Sequence, residues 1–245
     1  MPIEYYKNNF IIWPDATHTP SLGVESDRLQ ECLAEVERRG LKGVFGAPSF
    51  FRENNLDFLA TMPWLEAAEF WEVRLKSLSG LYALKNLQFL RVSGGRPPLN
   101  FDSFPNLHSL VWEYNLKDSG CQSLPVLEQL YLCRYKSVNK TFDDIALPNC
   151  LKRLEINWSN VSTLDGLPYL PMLSHLEIGR CRDLNSLGDL AARCPNLESL
   201  FIVSSGRLHI TEAERIAASL PKLRHLVAAN KLLIDPNMAS PLPRW

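Results

Sequence analysis

The chain has 245 residues, 46% of them hydrophobic and 22% charged, with a formal net charge of -1. That balance excludes a general pull toward nucleic acid or anionic lipid, and no apolar run nears the roughly 20 residues that cross a bilayer. The hydrophobic share suffices for a large core, and no low-complexity linker or second domain is evident.

From the N-terminus, Phe10-Ile11-Ile12-Trp13 followed by Pro14-Asp15 predicts a strand and a turn. A helix is predicted from about Asp27 to Arg39, with Asp27 as N-cap, Gln30 at the capping-box position and Gly40 at its end. Its apolar stripe is Leu29, Cys32, Leu33 and Val36. Residues 1–40 therefore read as a strand-helix cap that covers the open edge of a parallel sheet.

From residue 41 to 234 a leucine phrase, Leu-x-x-Leu-x-Leu or a close variant, recurs. Clear copies are Leu87/Leu90/Val92, Leu107/Leu110/Trp112, Leu127/Leu130/Leu132, Leu151/Leu154/Ile156, Leu173/Leu176/Ile178, Leu197/Leu200/Ile202 and Leu223/Leu226/Ala228. Successive starts lie 20, 20, 24, 22, 24 and 26 residues apart, and weaker copies at Leu65/Ala68/Phe70 and Leu41/Val44/Gly46 extend the series to about nine rungs. Lead-ins such as Phe104-Pro105-Asn106-Leu107 and Cys194-Pro195-Asn196-Leu197 end a helical turn and set an extended approach to the strand. In the longer late rungs, Thr211-Glu212-Ala213-Glu214 reads as a capping box opening a helix toward Leu220. The proline-containing tail, residues 235–245, is expected to wrap the last rung or stay mobile.

These recurring phrases resemble leucine-rich-repeat proteins, with short repeats similar to those of internalins and of bacterial or phosphatase-regulatory relatives. The resemblance implies an α/β solenoid: a curved parallel β-sheet on the concave side, short helices and irregular links on the convex side. The family's asparagine, three residues past the phrase, is matched only by Asn115; Val73, Gly95, Tyr135, Ser159, Cys181, Ser205 and Lys231 stand at the equivalent positions. Ser and Cys can bond neighbouring backbone there, whereas Val, Tyr and Lys are expected to fit poorly.

The two-residue strand period turns the residue between the second and third apolar positions outward. The rows so exposed are rich in aromatics, arginine and carboxylates, the residue types that anchor protein interfaces. The expected partner-binding residues are Glu69, Trp71, Phe89, Arg91, Glu113, Tyr114, Tyr131, Arg134, Arg153, Glu155, Trp158, His175, Glu177, Arg180 and Phe201. Glu155 and Glu177 fall on adjacent strands about 4.8 Å apart and need an intervening cation, for which Arg134, Arg153, His175 and Arg180 are in register. That pair is read as a mixed-charge network before a docking point for a partner's Lys or Arg, and paired-carboxylate catalysis comes last, since an open sheet offers little desolvation.

No catalytic pattern competes. The five histidines show no metal spacing, no serine sits in a G-x-S-x-G elbow, and no phosphate-binding glycine motif is present. Met1-Pro2-Ile3-Glu4 does not open a signal peptide, and Cys32, Cys121, Cys133, Cys150, Cys181 and Cys194 form no C-x-x-C pair, so free thiols in a cytoplasmic protein are expected, with Cys133 on the exposed strand face. The expected function is a non-catalytic scaffold without cofactor or metal, a monomer or weak homo-oligomer. It would bind a protein partner and act as an inhibitor or immunity-type protein that neutralises a toxin or effector. The alternative is a regulatory adaptor, phosphatase-regulator-like or a ubiquitin-ligase substrate-recognition protein.

Overall fold

In the computed structural model, the described residues are 4–5, 10–13, 19–205, 207–228 and 231–234. The predicted turn at Pro14-Asp15 and the tail 235–245 lie outside them. The chain groups into two compact units: residues 1–112 with 117–120, and residues 113–116 with 121–245.

The first unit carries β1 (Glu4–Tyr5), β2 (Ile11–Trp13), β3 (Ser21–Gly23), β4 (Gly43–Gly46), β5 (Ala67–Phe70), β6 (Phe89–Val92) and β7 (Ser109–Glu113), whose last residue belongs to the second unit. β1 to β3 pair antiparallel, and from β3 to β7 the pairing is parallel. The register stacks Leu22, Val44, Ala68, Leu90 and Leu110 in one column. The parallel ladder thus starts one rung before the leucine phrase becomes legible, and the helix α1 (Leu29–Arg39) lies in the link between β3 and β4.

The start of α1 differs from the sequence expectation. Ser26–Arg28 is a 3-10 turn, Arg28 is the N-cap, and neither it nor Asp27 makes a side-chain cap. Arg28 is drawn back onto Glu25, and Ser26 Oγ accepts from Arg52 N (2.8 Å), so the chain enters the helix through side-chain ties to neighbouring segments. The end is as predicted: Gly40 takes φ 62°, its N–H reaches Glu37 O, and Leu41 N bonds Val36 O, a pairing that needs a left-handed residue.

The second unit carries β8 (Gln129–Cys133), β9 (Arg153–Asn157), β10 (His175–Gly179), β11 (Ser199–Val203), β12 (His225–Ala228) and β13 (Lys231–Ile234). β8 to β12 are parallel and β13 returns antiparallel. Leu130, Leu154, Leu176, Leu200 and Leu226 form its column, all buried. Each such leucine removed from water contributes roughly 1.5–3 kcal/mol, which is why a four- or five-residue strand holds its place in the ladder. Both units are therefore built of leucine-rich-repeat rungs, one strand per rung.

The links close by a repeated device. Leu65, Leu87, Leu107, Leu173, Leu197 and Leu223 each donate their N–H to the carbonyl three residues earlier. The lead-in proline at Pro63, Pro105, Pro171, Pro195 or Pro221 is then the second residue of a closed turn, where its fixed φ is suited, and not a simple extended lead-in. Elsewhere successive rungs touch through small residues: at Gly166, φ 79°, an added Cβ would lie 2.2 Å from Asp143 Oδ1.

The late helices are α2 (Leu190–Arg193) and α3 (Ile210–Ala218). The predicted capping box is corrected here, because Thr211 lies inside α3 and His209 precedes it without a side-chain cap. Glu212 turns outward from its own helix end to the preceding rung, accepting from Leu187 N (3.0 Å) and Ser186 Oγ (3.4 Å) and pairing with Arg215. Arg215 chiefly holds this carboxyl down at about 2.

The positions matching the family's asparagine are also resolved. Ser159 Oγ donates to Tyr135 O (2.8 Å) and Cys181 Sγ sits 3.5 Å from Gly179 O, as small polar residues should. Val73 and Tyr135, expected to fit poorly, are buried instead. Tyr135 stacks on Phe142 (centroids 5.1 Å), meets Tyr114 edge-on (4.8 Å) and donates its hydroxyl to Thr141 O (3.3 Å). The link accommodates a large aromatic by packing two more against it.

Candidate functional site

In the first unit, Trp71 stacks on Phe45 at 5.7 Å and meets Trp13 edge-on at 5.8 Å, and the Arg91 guanidinium lies 5.3 Å over the Trp71 ring. Glu69 and Phe89, from the same predicted surface, are buried. The four predicted residues of this unit therefore belong to a packed layer and not to a freely exposed face.

The second unit behaves likewise on its strands. Tyr131, Glu155 and Phe201 are only 6–7% exposed. Parallel strands about 4.8 Å apart bring equivalent side chains into contact, so large residues in consecutive rungs cover one another. Arg153 donates from Nε to Glu155 Oε1 (2.9 Å) and stands 3.9 Å from Glu177, so it is the cation that the two carboxylates need. His175 packs on Phe201 (5.1 Å), and Ser199 Oγ lies 3.2 Å from His225 Nδ1.

Burial, then Arg153 and His225, push the His175 imidazole down to about 4, from an ordinary 6.5. It is neutral at pH 7 in the folded chain. Below pH 6.5 the unfolded chain takes a proton that the folded chain refuses, so stability is full above 6.5 and falls as pH drops toward 4. With a discount for partial exposure, the loss by pH 5 is between about 1 and 2 kcal/mol. His175→Gln should remove that part of the loss, and urea midpoints at pH 7 and pH 5 for the two proteins check it; equal pH slopes would refute the assignment.

A different row is exposed. At the exit of the strands, Arg134, Trp158, Arg180 and Ser204 all take positive φ, between 54° and 57°. The N–H groups of Arg134, Trp158 and Arg180 bond the last strand carbonyl of the following rung: Asn157 O, Gly179 O and Val203 O, at 2.8–3.1 Å. Left-handed backbone is costly for residues with a Cβ, and here these rung-to-rung bonds hold it. Trp158 is 50% exposed, and Arg180 lies 4.8 Å over its ring. Arg134 pairs with Glu113 at 2.6 Å, while Tyr114 packs on Tyr135.

Beside Trp158 opens a cavity of 540 Å³, lined also by Asn160, Arg180, Arg182, Asp183 and Ser204. Asp183 is held by Lys140 (3.0 Å) and Arg207 (3.5 Å), and Lys140 holds its carboxyl below the usual carboxylate value. Trp158 and Arg180 were legible from the sequence. Arg182 and Asp183 were not among the expected residues, and only the neighbouring rungs bring Lys140 and Arg207 to Asp183.

All six cysteines are free; Cys133 and Cys150 are half-buried and the other four buried. Among the described residues no cluster of three or more His, Cys, Asp or Glu is arranged to hold a metal, and no helix is long and apolar enough to cross a membrane.

No protein-family model matches the chain, and no curated protein matches it in sequence. Among solved structures, the crystal structure of an internalin (inlF) from Listeria monocytogenes is similar, with 17% identity, a TM-score of 0.39, and coverage of 75% of this chain and 53% of the internalin. The chain thus spans about half of that protein's length. Its leucine-rich-repeat fold stands on the register and leucine columns of its own rungs.

Proposed function

We propose that the chain is a non-catalytic protein-binding scaffold and that it serves as an inhibitor or immunity-type protein, neutralising a toxin or effector in the cytoplasm. The observation that carries this reading is Trp158: a half-exposed indole fixed by left-handed backbone, with the Arg180 guanidinium against its ring and a cavity at its side. Tryptophan and arginine dominate the energetics of protein interfaces because they bury a large area around a polar tip, and a pre-set backbone lowers the ordering cost of binding. The carboxylates Glu155 and Glu177 already face Arg153, which favours their structural use over acid-base chemistry. The free thiols agree with a reducing compartment.

The purified chain, used as bait in lysate of its own cells, tests this, with Trp158→Ala beside the wild type. A single secreted or nucleolytic protein retained by the wild type and lost by the variant is the expected outcome. Truncating a buried interface tryptophan costs about 2 kcal/mol or more, near thirtyfold in Kd. Retention of phosphatase or ligase subunits by both proteins would replace the inhibitor with an adaptor and move the site away from Trp158.

A further inference from the structure

We infer that the cavity beside Trp158 receives the carboxylate side chains of an acidic segment of the bound protein. This rests on the scaffold reading and adds the chemistry of its partner. Three observations lead there. Among the described residues, neither Arg180 nor Arg182 has a carboxylate partner, and both are exposed. Asp183, the one carboxylate in the lining, is engaged by Lys140 and Arg207, so it leaves the two arginines unneutralised. Ser204 adds a neutral polar residue to the same wall, while the Asn160 amide is already held by the Ser137 backbone at 3.0 Å.

Guanidinium groups match carboxylates two bonds at a time, and two of them beside a fixed indole suit one or two acidic side chains with an apolar neighbour laid on the ring. A nucleic acid would need cations along an extended track, and the chain's net charge of -1 supplies no such field.

The test is a titration of the 15N-labelled full chain with a hexaglutamate peptide, following the Trp158 indole resonance, assigned through Trp158→Phe. Hexalysine, inorganic phosphate and a ten-nucleotide single-stranded DNA are run in parallel. Hexaglutamate is expected to shift the resonance, and the paired substitutions Arg180→Gln and Arg182→Gln to weaken binding at least about tenfold, as loss of charge-paired contacts does. Lys222→Glu, at a distant link, should leave it unchanged, and the amide spectrum of each variant confirms its fold.

The inference is overturned if hexaglutamate causes no shift, if the paired variant binds it equally, or if phosphate or DNA binds more tightly. Should hexaglutamate fail while the lysate partner is still lost by Trp158→Ala, the scaffold stands and the acidic ligand alone falls. Should hexaglutamate bind while that partner is retained, the acidic site stands and the scaffold surface is elsewhere.

Discussion

Asp118→Ala is expected to destabilise the first unit by about 3–5 kcal/mol, the loss that follows when one partner of a buried ion pair is removed. The Asp118 side chain is 0% exposed and that of Arg96 3%. Arg96 reaches the carboxylate with both terminal nitrogens, Nη1 to Oδ1 at 2.9 Å and Nη2 to Oδ2 at 2.7 Å. The same two oxygens accept from Leu99 N (2.7 Å) and Trp112 Nε1 (2.8 Å), while Arg96 also donates to Val92 O and Pro97 O. Alanine would leave a guanidinium, an indole N–H and a backbone N–H without their acceptor, in a site water does not reach. The pair itself is not expected to beat a hydrophobic filling, so Arg96→Met combined with Asp118→Leu should lose less than Asp118→Ala alone. Urea denaturation followed by tryptophan fluorescence measures all three. A loss below about 1 kcal/mol in Asp118→Ala would mean that the network is not closed to water.

Tyr135→Asn, which restores the repeat family's residue at that position, is expected to destabilise the second unit by about 3–5 kcal/mol, as removal of a buried aromatic does. Tyr135 is fully buried between Phe142 and Tyr114, and burial pushes its hydroxyl up to about 12. An asparagine there would open a cavity among aromatic rings. The backbone bonds that it makes elsewhere in the family are partly supplied by the next rung: Asn160 Oδ1 accepts from Ser137 N and Asn160 Nδ2 donates to Ser137 O, each at 3.0 Å. Tyr135→Phe, which keeps the rings and removes the hydroxyl with its 3.3 Å contact to Thr141 O, should cost about 1 kcal/mol. Thermal unfolding of the two variants side by side checks the ordering, and a variant Tyr135→Asn as stable as the wild type would show that the consensus residue still fits.

The strands β2 and β4 to β12, the buried columns of their repeats and the left-handed stop at Gly40 were determined by the sequence alone, whereas β1, β3 and β13 were not. Each depends on a local rule: a period of two within a strand, a return every 20–26 residues, and a glycine where φ must be positive. The same rules misplaced both helix starts: Asp27 lies in a 3-10 turn ahead of α1 and Thr211 lies inside α3, so neither caps a helix. Periodicity could say which residues leave the core but not which stay exposed. Tyr131, Glu155 and Phe201 point outward and are nonetheless covered, since neighbouring strands set large side chains against each other. Trp158 and Arg180 remain in solvent because their backbone turns left-handed just past the strand. The Arg96–Asp118 pair, the Asn160 clamp and the Asp183 cluster join residues 22, 23 and 43 positions apart. Only the stacking of rungs decides such contacts, because the register that brings them together is a property of the ladder and not of any one repeat.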